Sequence, residues 1–336
     1  MDDLPKHILV TGGAGYIGSR LVELLLKQNY RVRVLDNLTF GGSALEEFKH
    51  HPEFDFCLGD ITDAEDIEEA LEEIDTIVHL AAIVGDPTCN KFPELAQKVN
   101  RDGSKLLIDM ADEEEIDRFI FASTCSNYGK MPDPNGMVDE TTELHPVSLY
   151  AELKVETEKY LLELNSDMTA VCLRFATAYG LSERMRFDLT INEFTRDLAM
   201  SNRLEVFGEQ FWRPYCHISD LSRAIISAIE APADVIAHQA FNVGANDQNF
   251  QKKAIVEHIL KKIPEKHELI SYVKKDEDPR DYRVNFDKIK NLLGYQLTRT
   301  IDNGIDEVLA AINGNHFSDP YDIIYSNLYM NEDQNI

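Results

Sequence analysis

Long hydrophobic runs are missing from this sequence. No stretch of 18 apolar residues occurs, and the N-terminal segment MDDLPKHILVTGG has no basic region followed by an apolar core. These absences argue against a membrane-spanning helix and a signal peptide. The five cysteines, at positions 57, 89, 125, 172 and 216, form no CxxC pair. We therefore expect no disulfide and no metal site, and a cytoplasmic protein fits best.

Positive charge is also scarce. The 33 Lys and Arg residues are outnumbered by 60 Asp and Glu residues, which gives a formal net charge of −27. A surface this acidic repels nucleic acid and anionic lipid, so neither is an expected partner. A small anionic substrate remains compatible, because a few arginines can form a local positive pocket. The 336 residues, 43% of them hydrophobic, are enough for one large domain with an appendage or for two domains.

Short apolar runs alternate with amphipathic stretches along the first half of the chain. This alternation predicts an α/β fold, in which helices cover both faces of a parallel sheet. The predicted strands are His7–Thr11, Arg31–Leu35, Phe54–Leu58, Thr76–Leu80, Arg118–Ala122, Ala170–Phe175, Leu204–Phe207, Ala240–Val243 and Leu269–Val273. The predicted helices are Tyr16–Lys27, Asp63–Glu73, Pro93–Met110, Leu149–Leu164, Arg186–Met200 and Ile218–Ile229.

Glycines cluster directly after the first predicted strand, in the segment TGGAGYIG (Thr11–Gly18). Gly13, Gly15 and Gly18 have the G-x-G-x-x-G spacing. Such glycines let the backbone turn tightly and approach a pyrophosphate, which the N–H groups at a helix N-terminus can bind. A glycine-rich turn without a ligand is the alternative, and the strand–turn–helix context argues against it. We predict a dinucleotide site here that also includes Gly12, Tyr16 and Ile17.

An acidic residue ends the second predicted strand. Asp36 is placed to accept hydrogen bonds from ribose hydroxyls and to repel a 2′-phosphate, which favours NAD over NADP. We expect Asn37 to belong to the same site. Asp60, after the third strand, is a candidate ligand of the adenine amino group, with Ile61 beside it. Capping of the acidic helix that follows is an equally good interpretation of Asp60.

Further motifs follow in order along the chain, up to about residue 295. They are Leu80-Ala81-Ala82, Ser123–Gly129 (STCSNYG), Tyr150–Lys154 (YAELK), Leu173–Gly180 (LRFATAYG), Arg213–Asp220 (RPYCHISD), Asn242-Val243-Gly244 and Arg280-Asp281-Tyr282. Together with the glycine loop, this set resembles the motifs of the extended short-chain dehydrogenases/reductases, in the nucleotide-sugar epimerase/dehydratase group.

The resemblance implies a fold, a cofactor and partners. The fold is a Rossmann-type doubly wound parallel sheet with a smaller C-terminal substrate-binding lobe. The NAD-binding domain then covers residues 1–180, with returning elements near 210–245, and residues 181–336 are mainly the substrate lobe. Leu80, Ala81 and Ala82 are implied to lie at the NAD site. A nucleotide-diphosphate sugar is the implied substrate, and the implied homodimer pairs the helices near 93–110 and 149–164.

Tyr150 and Lys154 share one face of a predicted helix, because they are four residues apart. Oxidation of an alcohol carbon needs a base for the hydroxyl proton, and a free Tyr has a pKa near 10. A nearby Lys ammonium stabilises the phenolate, so Tyr150 is the predicted base, with Lys154 its pKa tuner and a ligand of the cofactor ribose. Thr124 is placed to hold the same substrate oxygen. An ordinary surface pair is the alternative for Tyr150 and Lys154, and the glycine loop and Thr124 argue against it.

Four further residues concern the substrate. Arg213 and Arg280 are candidate ligands of its pyrophosphate, because guanidinium groups match phosphate oxygens. Dehydratases of the resembled family carry an Asp-Glu pair after the catalytic Thr, where this chain has Cys125 and Ser126. Neither is a strong acid at neutral pH, so 4,6-dehydration is disfavoured. We expect all four residues to line the substrate site, although Cys125 is better explained as a small packing residue than as a proton donor.

Thr177 stands where the family usually has Asn, which leaves the sugar undetermined. The first functional hypothesis is 4-epimerisation through a 4-keto intermediate with retained NAD. The second is a nucleotide-sugar 4-dehydrogenase that releases a keto-sugar, and a dehydratase ranks third. A non-catalytic NAD-binding scaffold is the alternative of a different class.

Overall fold

Parallel strands form the centre of the computed structural model, which describes residues 7–328 except 132, 134, 135 and 279. The strands, in chain order, are β1 (His7–Thr11), β2 (Arg31–Asp36), β3 (Phe54–Leu58), β4 (Thr76–His79), β5 (Arg118–Thr124), β6 (Thr169–Phe175), β7 (Thr177–Tyr179), β8 (Leu204–Phe207), β9 (Trp212–His217), β10 (Gln239–Val243), β11 (Asn249–Gln251) and β12 (Ile270–Val273).

The central sheet has seven strands in the order β10-β6-β5-β4-β1-β2-β3, and every pair runs parallel. The strand order reverses between β1 and β4, which is the arrangement of a doubly wound Rossmann-type sheet. In the register, Val10 of β1 lies opposite Val34 of β2 and Val78 of β4. The predicted α/β fold class is therefore confirmed.

Helices occupy both faces of this sheet. In chain order they are α1 (Gly18–Lys27), α2 (Ala64–Leu71), α3 (Asp86–Lys91), α4 (Pro93–Gln97), α5 (Ser104–Glu113), α6 (Leu149–Glu163), α7 (Thr190–Ala199), α8 (Ile218–Glu230), α9 (Ala233–Ile236), α10 (Lys252–Lys262), α11 (Asp287–Leu293) and α12 (Ile301–Asn313). Val10 shares a hydrophobic core with Leu21 of α1, whereas the neighbouring Leu9 shares the opposite core with Leu107 of α5. Successive strand residues point to opposite faces, so both cores are built from the same strands.

The helix predicted for Pro93–Met110 is not continuous. A π-helical segment, Lys98–Gly103, separates α4 from α5. It contains Asn100, whose side chain is fully buried and bonds both backbone groups of Ile83, accepting from N–H at 2.7 Å and donating to C=O at 2.8 Å. The periodicity of the sequence does not reveal such an interruption, since π-helical turns arise from local packing and often mark functional sites.

The second half of the chain forms a smaller set of elements. Strands β7, β9 and β11 make a three-stranded sheet, and β8 pairs with β12. Strand β9 was not predicted, because its sequence WRPYCH does not alternate clearly. Strand β10 rejoins the central sheet beside β6. The division of function near residue 180 stays a prediction. Within the described residues no helix is long and apolar enough to cross a membrane.

Candidate active site

Four neighbouring strands end at one edge of the central sheet, and the predicted site residues follow them. Thr11 ends β1, Asp36 ends β2, the Leu80–Ala82 segment follows β4, and Thr124 ends β5. These strands are adjacent in the order β5-β4-β1-β2. Ligands of open α/β sheets bind at the carboxyl ends of the strands where the order reverses, and this edge has that position.

The glycine loop is packed too closely for side chains. Gly12 has φ of +74°, and a Cβ atom there would lie 2.7 Å from the backbone nitrogen of Ala81. A Cβ atom on Gly18 would lie 2.2 Å from the carbonyl oxygen of Gly12. Leu80 N–H donates to the Thr11 carbonyl at 3.0 Å, which holds the segment after β4 against the loop. Backbone atoms rather than side chains therefore line the loop at these two positions.

Asp36 organises the next part of the site. Its carboxylate accepts hydrogen bonds from the N–H groups of Ala14 at 3.0 Å and Leu38 at 2.8 Å. Burial raises the pKa of Asp36, and these two donors oppose that rise. The carboxylate therefore bridges the glycine loop and the loop after β2. Its remaining acceptor capacity suits ribose hydroxyls.

Asn37 and Asp60 are brought together. The Asn37 side-chain amide donates to the Asp60 carboxylate at 2.8 Å. Asp60 is not the helix cap, because Asp63 caps α2 by accepting from Glu65 N–H at 2.9 Å. The capping interpretation of Asp60 is thus wrong, and its carboxylate accepts instead from the Asn37 amide and from the Thr62 N–H, both at 2.8 Å. Ile61 is buried in the sheet core, so its side chain contributes packing.

The pair Tyr150 and Lys154 lies on the first turns of α6. Lys154 is 3% exposed, and its Nζ donates to the Ala122 carbonyl at 2.8 Å. Burial lowers the pKa of Lys154 to about 8, and burial raises that of Tyr150 above its ordinary value. Because Ala122 lies two residues before Thr124 on β5, this bond joins the tyrosine-bearing helix to the threonine-bearing strand.

The side chains in the turn after β5 differ in their burial and in their hydrogen-bond partners. Thr124 Oγ1 accepts from Ser126 N–H at 3.1 Å and so caps the turn. Ser126 lies 3.5 Å from the hydroxyl of Tyr282. The Cys125 thiol is 1% exposed and donates to the Arg174 carbonyl at 3.1 Å, and burial raises its pKa well above the ordinary value. This placement favours a packing role for Cys125 over contact with substrate.

The two arginines predicted to bind phosphate are held by carboxylates. Arg213 pairs with Asp278 at 2.8 Å and also donates to the carbonyls of Trp212 and Arg280. Arg280 pairs with Asp86 at 2.6 Å. Thr177 is partly buried on β7. Both arginines therefore lie beside Asp278. Thr177 lies on β7, which pairs with β9, the strand that carries Arg213.

Asn100 was missed by the sequence reasoning. It fixes Ile83, the residue that follows the Leu80–Ala82 segment, and its carbonyl accepts a hydrogen bond from Thr157 of α6 at 2.9 Å. The same residue thus connects the strand end, the π-helical segment and α6, the helix that carries Tyr150. No signal in a single sequence marks it, because Asn within a helical pattern usually points to solvent.

Comparisons with known proteins agree with this geometry. Residues 8–244 match the family described as the NAD dependent epimerase/dehydratase family. Over 319 residues the chain is 29% identical to an uncharacterised UDP-glucose epimerase of Bacillus subtilis, which covers 91% of this chain and 98% of that protein.

Two solved structures share the fold. One is a UDP-glucuronic acid 4-epimerase from Bacillus cereus in complex with UDP-glucuronic acid and NAD, with a TM-score of 0.82, 27% identity, and 92% and 99% of the two chains covered. The other is a dTDP-glucose 4,6-dehydratase from Streptomyces venezuelae with NAD bound, with a TM-score of 0.82, 25% identity, and 92% and 98% covered. The chain therefore belongs to the NAD dependent epimerase/dehydratase family, and it is an NAD-dependent enzyme of the extended short-chain dehydrogenase/reductase type.

Proposed function

We propose that this enzyme epimerises a nucleotide-diphosphate sugar at C4 through a 4-keto intermediate. The observation that carries the proposal is the bond from Lys154 to Ala122, which joins α6, the helix that carries Tyr150, to β5 two residues before Thr124. The relatives named as epimerases of UDP-glucose and UDP-glucuronic acid support the same reaction. The lack of an acid–base pair at Cys125 and Ser126 disfavours dehydration.

The residues present fit a bound NAD. Side chains are excluded at Gly12 and Gly18, and the N–H groups of Tyr16 and Ile17 donate to none of the described residues. These groups would hold the pyrophosphate, and Asp36 would hold the adenosine ribose. When bound, NAD supplies an acceptor and donor of hydride.

The chain's own residues move the proton. Tyr150 accepts the proton of the C4 hydroxyl and later returns it, while Thr124 holds the same oxygen in line. Burial disfavours the phenolate of Tyr150, so a neighbouring positive charge is required to make it a base. Lys154 supplies that charge at neutral pH, since it loses its proton only near pH 8.

The reaction is tested by incubating the purified enzyme with UDP-glucose, UDP-glucuronic acid and UDP-arabinose and analysing the products by NMR. Inversion at C4 with no net change in NAD is the expected result. Accumulation of a free keto-sugar together with NADH would contradict epimerisation and favour 4-dehydrogenation. A second assay measures released nucleotide after denaturation, and we expect NAD that has been retained through purification.

Tyr150→Phe tests whether the site is catalytic at all. It should lower kcat by about 10²- to 10⁴-fold, because the base is removed while the ring remains. Tyr160→Phe on the same helix is the matched control, since its hydroxyl donates to the Asp109 carboxylate near the surface. Unchanged turnover in Tyr150→Phe would favour the non-catalytic scaffold instead.

We also propose a homodimer that pairs α4, α5 and α6 between subunits. The family resemblance supports the proposal, and Leu95 on α4 is an apolar side chain, 38% exposed, that such a contact would cover. Light scattering should give twice the mass of 38.3 kDa, and a monomer would refute the proposal. Cytoplasmic location stays a prediction from the sequence.

A further inference from the structure

Arg184 is a buried cation that makes no hydrogen bond to any residue the structure describes. Arg184 is 6% exposed, and its three guanidinium nitrogens are buried and make no hydrogen bond with the described residues. Burial lowers its pKa to about 10, so it is charged at neutral pH. An unpaired buried charge is strongly destabilising, and native proteins rarely keep one without a use.

The backbone around Arg184 is fastened to the glycine loop. Ser182 Oγ donates to the Tyr16 carbonyl at 2.8 Å and lies 3.2 Å from Ser19 Oγ. The Tyr16 hydroxyl donates to the Gly180 carbonyl at 2.7 Å. The segment 180–184 therefore crosses the start of α1, where the N–H groups of Tyr16 and Ile17 have no partner among the described residues.

The guanidinium itself lies over the loop that follows β2. Its central carbon is 4.4 Å from the ring centroid of Phe40. Burial raises the pKa of the nearby Asp36, and the charge of Arg184 is among the effects that oppose this rise. Stacking covers a face of the guanidinium, whereas its N–H donors lie in the plane and point outward from the edge. A hydrogen-bond acceptor for this cation therefore has to lie at the edge of the guanidinium.

We propose that Arg184 binds the phosphate oxygens of the adenine dinucleotide, as a side-chain clamp opposite the glycine loop. A phosphate there would satisfy the buried donors and the free N–H groups with one anion. Asp36 and Arg184 would then act together, the carboxylate on the ribose and the guanidinium on the phosphate. The inference concerns the cofactor alone, so failure of the epimerase assay leaves it intact.

The test uses protein freed of nucleotide by charcoal treatment, with NAD affinity measured by calorimetry. Arg184→Met should raise the Kd for NAD by about 10- to 100-fold, the usual effect of losing hydrogen bonds to a charged group. The affinity for ADP-ribose should fall by the same factor, because ADP-ribose keeps the diphosphate. Adenosine, measured by competition, should bind the variant and the parent alike. The Kd of Arg184→Lys for NAD should lie between those of the parent and Arg184→Met, since Lys keeps the charge and loses the planar guanidinium.

Stability without ligand gives a second readout. Arg184→Met should unfold at a temperature no lower than the parent, because it replaces an unpaired charge by an apolar side chain. Arg33→Met is the matched control: Arg33 is also buried, but it is paired with Asp55 at 2.7 Å and with the Glu72 carbonyl at 2.8 Å. That variant should lose stability and keep its NAD affinity.

Three results would overturn the proposal. Equal NAD affinity in Arg184→Met and the parent would show that the cation has no part in cofactor binding. An equal loss for adenosine would place its action on the nucleoside rather than on phosphate. A loss for NADP much larger than for NAD would assign Arg184 to a 2′-phosphate instead of the diphosphate.

Discussion

Next to the end of β5 lies a buried ion pair whose removal should destabilise the protein. Arg174 of β6 donates to the Glu158 carboxylate of α6, and both side chains are almost fully buried. Glu158 also accepts from Ser123 Oγ at 2.6 Å, and Arg174 donates to the Tyr128 hydroxyl at 2.9 Å. Because Ser123 precedes Thr124, this network also fixes the end of β5.

We predict that Glu158→Leu destabilises the protein by about 3–5 kcal/mol, because it leaves Arg174 charged and buried without its carboxylate. The value should lie near the lower end, since the Tyr128 hydroxyl still accepts one of the guanidinium bonds. Arg174→Met should cost a similar amount, because it leaves the carboxylate unpaired. The double variant should lose clearly less than the sum of the two, since neither charge is then stranded.

Urea unfolding followed by circular dichroism measures all four proteins. The slope of the unfolding free energy against urea concentration should stay the same, so that midpoint shifts report stability. If each single variant has an unfolding free energy within about 1 kcal/mol of the parent, the remaining charge is not left buried without a counter-charge, and the reasoning is refuted. Losses that simply add in the double variant would show that the two residues act independently.

Other predictions follow from the same structure. Lys154→Met should abolish turnover yet stabilise the protein at pH 7, because burial lowers the pKa of Lys154 from 10.5 to about 8 and the unfolded chain holds the proton more tightly. Parent stability should therefore rise relative to the variant between about pH 8 and 10.5; unfolding at pH 7 and 9.5 checks this, and a constant difference contradicts it. Gly12→Ala should lose stability and NAD affinity, because φ is +74° and Ala81 is in the way, whereas Gly41→Ala, at φ +85° with open space, should cost only about 1 kcal/mol by thermal melt; equal losses would refute the steric argument. Alkylation of the native protein, followed by mass spectrometry, should label the partly exposed Cys57 before the buried Cys125. Cys125→Ala should keep the turnover of the parent. Early labelling of Cys125 would show that its thiol is accessible and would favour contact with substrate.

Local patterns in the sequence were enough for the individual strands of the central sheet and for the glycine loop. Strand β1 and the glycines after it are adjacent in the chain, so their spacing carries the turn, the helix start and the close backbone approach directly. Tyr150 and Lys154 are likewise neighbours on one helix face, and four-residue spacing suffices to place them together. These features depend on interactions within a few residues.

Long-range contacts decided the rest. Asn100 interrupts its helix because it bonds Ile83, 17 residues away. Arg184 lies over the loop after β2 because the segment after β7 crosses the glycine loop, which is more than 160 residues earlier in the chain. Periodicity describes one element at a time and contains no information on which distant segment packs against it. The burial of Cys125, the carboxylate partners of Arg213 and Arg280, and the absence of a partner for Arg184 among the described residues are properties of the tertiary structure alone.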